Sequence, residues 1–381
     1  MVLSLLIYVS LGIFLFVLAW HVQHKEKATA HGSSQTVGFS SWEIVVSIVA
    51  FATIAGARYH TGYDHAMYLH QYLQYGYYGF FTRDLEPLFQ WVTQLMSGAG
   101  VHYFFYFALW AALQIGFIYY ALRCNKALLP WVALYIMLGP FFLDWMNTMR
   151  QCVCECIFVF AIELIHKRKL MGYLCVVAVC TLLHKSAIIL LPIYLIHNVR
   201  LNVKWMLAVM AVALILGLLP LWSGLMKLLY SVTTQLGYES YGGSIQRMIG
   251  GELRHVAWGP VRMVNLAIPI LIVCFYPQVK KHFDTDPLLP YYVLMTVIWF
   301  CANNTLLNTN VFMTRPFEYF KIFTLVANAY LLAYLFETKK WRWFSLLLIL
   351  SCSNAFFDVA KAVMRPSAVN APFLYHPFFM V

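Results

Sequence analysis

Charge is scarce in this chain. Asp, Glu, Lys and Arg together make up 11% of its 381 residues, where a water-soluble protein carries roughly a quarter. Hydrophobic residues reach 62% and gather in runs long enough to cross a bilayer, which excludes a soluble enzyme, a disordered chain and a fibrous protein. Period-two alternation in segments of about ten residues is missing, which excludes an outer-membrane barrel. The N-terminus lacks a basic segment ahead of its apolar run and a small-x-small cleavage pattern, so MVLSLLIYVSLGIFLFVLAW is expected to remain as a first span. No internal repeat is visible, which weighs against a carrier built from duplicated halves. A disulfide framework is missing too. The nine cysteines sit mostly inside apolar runs, Cys175, Cys180, Cys274, Cys301 and Cys352 among them, and read as small buried apolar residues.

What is present is an all-α, polytopic membrane protein, read as one integral domain over residues 1–381. Hydropathy marks about twelve spans: 2–20, 40–57, 101–121, 127–144, 151–165, 170–183, 187–199, 205–229, 260–276, 289–304, 317–336 and 343–359. Aromatic residues reach 17%, which suits interfacial belts and equally a cavity that stacks sugar rings.

Lys and Arg in the short loops set the orientation. One alternating set holds Lys25 and Lys27, Arg123 and Lys126, Lys167 to Lys169, Arg200 and Lys204, Lys280 and Lys281, and Lys339, Lys340 and Arg342. These Lys-rich loops are assigned to the cytoplasm, with both termini outward. The opposite side is rich in Arg instead: Arg58, Arg83, Arg150, Arg247, Arg254, Arg262, Arg315 and Arg365. Topology would prefer no cation there. The planar guanidinium grips phosphate bidentately, so an Arg-rich outer face points to a bound anion such as pyrophosphate. For any single Arg, lipid anchoring or pairing with a nearby acid is an equal alternative.

The first outer loop, 58–100, is too polar and aromatic to span. Tyr63, Tyr68, Tyr72 and Tyr75 recur near helical spacing, which predicts an interfacial amphipathic helix over 64–75. Glu86-Pro87 reads as a helix start, and 87–97 as a short re-entrant helix. Spans 170–183 and 187–199 are short, so the turn His184-Lys185-Ser186 is expected to lie below the outer surface, facing protein or water. The same holds for Asn147 through Arg150-Gln151, and for Arg315. A second outer loop, 230–259, offers Tyr238, Tyr241, Arg247 and Arg254 for glycan contact, and its glycines suit a mobile lid or an ordinary solvated loop equally.

Several of these pieces resemble the EpsG family of Wzy-like polymerases. Arg58, then Gly62-Tyr63-Asp64, Tyr68 and Glu86-Pro87, is similar to the family's R…GxD…Y…EP pattern. Asn147-Thr148-Met149-Arg150-Gln151 looks like its N-x-x-R-Q signature, His184-Lys185-Ser186 its H-K-S turn, and Arg315 with Tyr319 its late R-x-x-x-Y element. Glu155, inside the span that follows Arg150, departs from the small apolar residue the pattern leads one to expect. The resemblance implies a helical fold related to the GT-C glycosyltransferases, in the bacterial cytoplasmic membrane, with its site facing outward. It implies an undecaprenyl-pyrophosphate-linked glycan as donor and a second lipid-linked repeat unit as acceptor. A chain-length regulator and a flippase are expected partners, and nucleic acid is not.

Joining sugars from such a donor needs a cationic group for the leaving pyrophosphate, a base for the acceptor hydroxyl, and a groove that orients two chains. Arg58, Arg150, Lys185 and Arg315 are the electrostatic candidates, with Asn147, Gln151 and Tyr319 beside them. Asp64 and Glu86 are the base candidates and His184 the third. Asp64 is placed first, with Tyr63 and Tyr68 near it to stack the acceptor ring, and Glu86 is given a fixed structural or Arg-pairing role. Each has a plainer reading: helix capping for Asp64, a helix-start charge for Glu86, a satisfied buried ring for His184. No metal or other cofactor is expected. Asp284-Thr285-Asp286 has the D-x-D form but no nucleotide-binding domain around it. Cys152, Cys154 and Cys156 cannot converge, because on a helix Cys154 points away from the other two. A flippase is the main alternative, but it would expose its cationic cavity to both faces in turn. An O-antigen ligase shares the donor chemistry, and only the motifs separate it.

Overall fold

The computed structural model describes residues 2–29, 41–59, 61–62, 64–81, 85–219, 259–306, 314–364, 375, 377 and 379. Among them the structure is helical, with no strand beyond a single bridge between Arg58 and Pro377. Two compact units are formed, one from Met1–Asn198 with Asn328–Val381 and the other from Val199–Ala327.

The first unit contains α1 (Val2–Thr29), α2 (Trp42–Gly56), α3 (His65–Tyr78), α4 (Pro87–Gly98), α5 (Tyr103–Ala121), α6 (Leu129–Leu138), α7 (Phe141–Asn147), α8 (Met149–His166), α9 (Leu170–Leu183) and a 3-10 helix, Lys185–Leu195. On α1 the residues Leu11, Leu15, Leu18 and Val22 are buried while Leu6, Ile13 and Val17 are exposed. Both faces are apolar because one meets protein and the other faces lipid. At the close approach of α2 to α5, a Cβ on Gly56 would lie 2.7 Å from the Phe104 carbonyl oxygen and 2.9 Å from Ala108 Cβ. Only glycine lets these two backbones pack so tightly.

Among the described residues four helices are long and apolar enough to cross a membrane, Val2–Lys25, Tyr103–Ala121, Pro260–His282 and Arg315–Glu337, or five if a bent pair counts as one span. The expected span 127–144 is broken, its two pieces Lys126–Leu138 and Phe141–Asn147 bent by 65°. Gly139-Pro140 lies at the break, where Pro has no N–H to give and its ring disfavours helical continuation. The expected span 187–199 is the eleven-residue 3-10 helix, with Pro192 inside it. At about 2 Å per residue it reaches roughly 22 Å, and the Tyr173 hydroxyl braces it by donating to the Leu190 carbonyl at 2.5 Å.

Neither α3 nor α4 is long enough to cross. On α4, Phe89, Thr93 and Ser97 face inward at i, i+4 spacing while Trp91 and Leu95 are exposed. Ser97 donates to the Tyr72 carbonyl at 2.5 Å, tying α4 to α3, and Thr93 shares a hydrogen bond with the Tyr106 hydroxyl of α5 at 2.9 Å.

The basic loops gather at one end of this unit. Glu163, near the C-terminus of α8, accepts from Arg123 at 2.8 Å and Lys167 at 2.5 Å. Glu43, buried at the start of α2, meets His21 at 3.0 Å and Lys25 at 3.5 Å. Arg150 stands at the other end of α8, about 20 Å away at 1.5 Å per residue. In the second unit, α10 (Val203–Leu218), α11 (Pro260–His282) and α12 (Leu289–Thr305) pack together, with a 3-10 helix, Arg315–Phe320, and the start of α13 (Ile322–Glu337). The chain then returns to the first unit, which α14 (Trp341–Met364) completes. On α10, Met206, Met210, Ala213 and Gly217 are buried while Trp205, Val209 and Val212 are exposed. Asp286 of the D-x-D triplet accepts from the Leu288 backbone at 2.9 Å, ahead of α12.

Candidate functional site

The break at Thr148 between α7 and α8 leaves carbonyl groups in the last turn of α7 that need donors away from water. Two side chains supply them. Gln114 of α5 donates to the Trp145 carbonyl at 3.1 Å and the Met149 carbonyl at 3.3 Å. Arg58, just past α2, donates to the Met146 carbonyl at 3.1 Å and to the Ala55 carbonyl. Its guanidinium lies over the Phe107 ring, 4.7 Å from the centroid, and the residue is 1% exposed. Arg58 was expected to present its fork to phosphate. Buried against two carbonyls and a ring, it ties α2 to α7 instead.

One residue on, Asn147 reaches the opposite way. Its carboxamide oxygen accepts from the Asp64 backbone N–H at 2.9 Å. The turn it holds passes through Gly62 at φ +91°, a conformation that favours glycine. Asp64 then precedes α3 without a side-chain capping bond, so the plain capping reading does not account for its carboxylate.

The charged centre follows. Glu86, ahead of Pro87 at the start of α4, divides its two carboxylate oxygens. Oε2 accepts from Arg150 Nη1, in the first turn of α8, and Oε1 accepts from His184 Nδ1 at 3.0 Å. The Arg150 guanidinium lies over two rings, 5.1 Å from the Phe89 centroid and 5.6 Å from the Tyr68 centroid. Burial works to neutralise Glu86, but the His184 hydrogen bond and the charge of Arg150 outweigh it and hold the carboxyl down at about 2. With Glu86 ionised, Nδ1 of His184 carries the proton of their shared bond. In the neutral ring Nε2 is then the accepting nitrogen.

Residues from four distant segments therefore converge: Arg58 with Asp64, Glu86, Asn147 with Arg150, and His184. Lys185 follows His184 and is exposed at the head of the 3-10 helix, and Gln151 is buried beside Arg150 in α8. Tyr68 is 4% exposed beneath Arg150, so its ring forms the floor of the site and offers no open face to a sugar. Arg315 and Tyr319 belong to the second unit, Arg315 exposed and Tyr319 buried. Tyr63, Tyr238, Tyr241, Arg247 and Arg254 lie outside the described residues. Glu155 is buried within α8. Among the described residues no group of three or more His, Cys, Asp or Glu is placed to hold a metal ion, and the Cys154 thiol donates to the Cys180 carbonyl at 3.4 Å. Phe89, Phe107 and Gln114 were not foreseen. Phe89 alone had a signal, standing one helical turn beyond Glu86.

Fold and site together define a helical membrane protein with a charged centre at one end of a bundle, opposite its basic loops. The chain belongs to the EpsG family, a family of Wzy-like polymerases, which residues 42–367 match. No curated protein and no solved structure gives a match.

Proposed function

We propose that this protein is a membrane glycosyltransferase that polymerises undecaprenyl-pyrophosphate-linked oligosaccharide repeat units on the outer face of the bacterial cytoplasmic membrane. The growing glycan passes from its pyrophosphate carrier to a hydroxyl of a second lipid-linked unit. The observation that carries this reading is the meeting of Glu86, Arg150 and His184 at one end of the first unit, in a chain of the EpsG family. A cation at that place suits a leaving pyrophosphate, and an imidazole, a carboxylate or both suit the proton of the attacking hydroxyl.

In this reading the chain crosses the membrane about twelve times, as one integral domain related to the GT-C enzymes. Arg150 and Lys185 face the pyrophosphate, with Gln151 supporting them. Asn147 is a positioning residue that holds the Gly62–Asp64 turn, and Arg58 is one that ties α2 to α7. One of Asp64, Glu86 and His184 supplies the proton-accepting group. The loop 230–259 contacts the glycan, and a flippase and a chain-length regulator act before and beside the polymerase. Concentration of the charged centre at one end of the unit favours chemistry at one membrane face over transport between two.

The test is reconstitution of the purified full-length protein in liposomes with purified lipid-linked repeat units, read as a ladder of chain lengths. The wild type extends chains and Arg150→Ala does not. A wild type that moves the lipid-linked unit across the bilayer and never lengthens it would refute the proposal.

A further inference from the structure

Three groups compete for the acceptor proton, and their surroundings separate them. Glu86 is engaged at both oxygens, by Arg150 and by His184, and a carboxylate held so far below neutrality accepts a proton weakly. Asp64 sits on a turn fixed through its backbone by Asn147. His184 is set apart by its geometry. It ends α9 in an extended conformation, φ −155° and ψ 111°, which swings the ring out of the helix toward Glu86. Nδ1 is fixed at 3.0 Å from a carboxylate oxygen, which sets both the tautomer and the orientation of the ring.

We propose that His184 is the general base of glycosyl transfer and that Glu86 is its positioning residue, oriented in turn by Arg150. The assignment rests on the polymerase reading above. The acceptor hydroxyl oxygen forms a bond to the donor's anomeric carbon. The bond from that carbon to the pyrophosphate oxygen breaks, and its electron pair leaves with the lipid pyrophosphate. The hydroxyl proton passes to Nε2 of His184, and water removes it after release. Before the reaction Arg150, Glu86 and neutral His184 sum to zero charge. Once His184 has taken the proton they sum to one positive charge, as the leaving pyrophosphate becomes more negative. Cationic stabilisation therefore grows in the transition state rather than being bound up with the ground state. Among the described residues, Glu86 from the start of α4 meets the ring, Arg150 from α8 holds the other oxygen of Glu86, and Lys185 is next in sequence.

The experiment uses full-length protein in liposomes with purified lipid-linked repeat units, with kcat and the acceptor KM followed from about pH 5 to about pH 9, across the range where imidazole titrates. His184→Gln is expected to lower kcat by about a hundred- to ten-thousand-fold, to leave the acceptor KM within about threefold, and to abolish the acidic limb of the wild-type profile. Free imidazole is expected to restore His184→Gly at least about tenfold, more so at higher pH where imidazole is neutral. Glu86→Gln is expected to cost at least about tenfold in the wild type and less than about threefold on top of His184→Gln, because it acts through the ring. Wild-type ladders with a His184→Gln enzyme that keeps its rate and its acidic limb would overturn the base assignment alone. So would a folded His184→Gly protein that imidazole leaves inactive. A wild type that makes no ladder overturns the polymerase reading itself.

Discussion

Glu86→Gln should weaken the fold as well as the reaction, and the size of the effect follows from its two partners. The carboxyl is displaced from its ordinary 4.5 to about 2. At 1.36 kcal/mol per unit, that displacement is worth about 3 kcal/mol in favour of the folded, ionised state. The side chain is 10% exposed, so solvent screening trims this only modestly, and about 2–3 kcal/mol is expected. The sign is fixed by the downward displacement. The contribution is complete above the ordinary carboxylate range and disappears as pH falls toward 2. Loss of Glu86 also leaves Arg150 partly buried without its counter-charge, which independently costs a few kcal/mol. In detergent micelles near pH 7, Glu86→Gln should lower the thermal midpoint by on the order of 5 °C. The gap to wild type should narrow as the buffer is taken down toward about pH 3. Glu86→Gln combined with Arg150→Gln should be less damaging to stability than Glu86→Gln alone, since no buried charge is then left unpaired. Equal midpoints at neutral pH, or a gap that stays constant into acid, would show that the shared carboxylate does not hold these helices together.

Arg150→Ala should abolish ladders at unchanged expression, with a transition-state loss of about 3 kcal/mol, roughly a hundredfold in rate. Arg150→Lys should recover only part of it, because one ammonium replaces a fork that meets Glu86 and lies over two rings; full activity in the Lys variant would refute the geometric argument. Arg58→Met should act mainly on stability, leaving the Met146 and Ala55 carbonyls without their donor at a cost of about 1–3 kcal/mol per buried group, and an unchanged thermal midpoint would contradict it. Gly56→Val should separate α2 from α5 and destabilise by at least about 1–3 kcal/mol, visible as loss of folded protein on size-exclusion chromatography. Cysteines introduced at positions 64 and 168 should be labelled from opposite sides of intact spheroplasts; labelling from the same side would invert the assignment of the site to the outer face.

Some of this was legible in the sequence. Scarce charge and long apolar runs mark a helical membrane protein, Glu86-Pro87 marks the start of α4, and the tyrosine spacing marks α3. A pairing of Glu86 with Arg was also foreseen. Its second partner was not, because His184 lies 98 residues further on and only tertiary packing brings it there. Periodicity placed Tyr68 on a helix but could not say which face turns inward, and the ring is buried beneath Arg150. An apolar run does not distinguish an α-helix from a 3-10 helix, so Lys185–Leu195 read as an ordinary span. Arg58 was the least legible. Its acceptors are main-chain carbonyls near a helix break, and a carbonyl has no letter in the sequence.

That contrast bears on how such a protein is free to vary. Arg58 and Asn147 grip main-chain atoms, of Ala55 and Met146 in one case and Asp64 in the other. Substitutions at positions 55 and 146 leave those atoms in place, so Arg58 must persist while these two buried side chains change within the space that packing allows. Arg150 and His184 each grip the side chain of Glu86. Loss of Glu86 strands both partners, and loss of either partner strands one oxygen of Glu86. In descendants of this chain the three are expected to persist as a set or to be replaced as a set, whereas positions 55 and 146 vary independently within their packing.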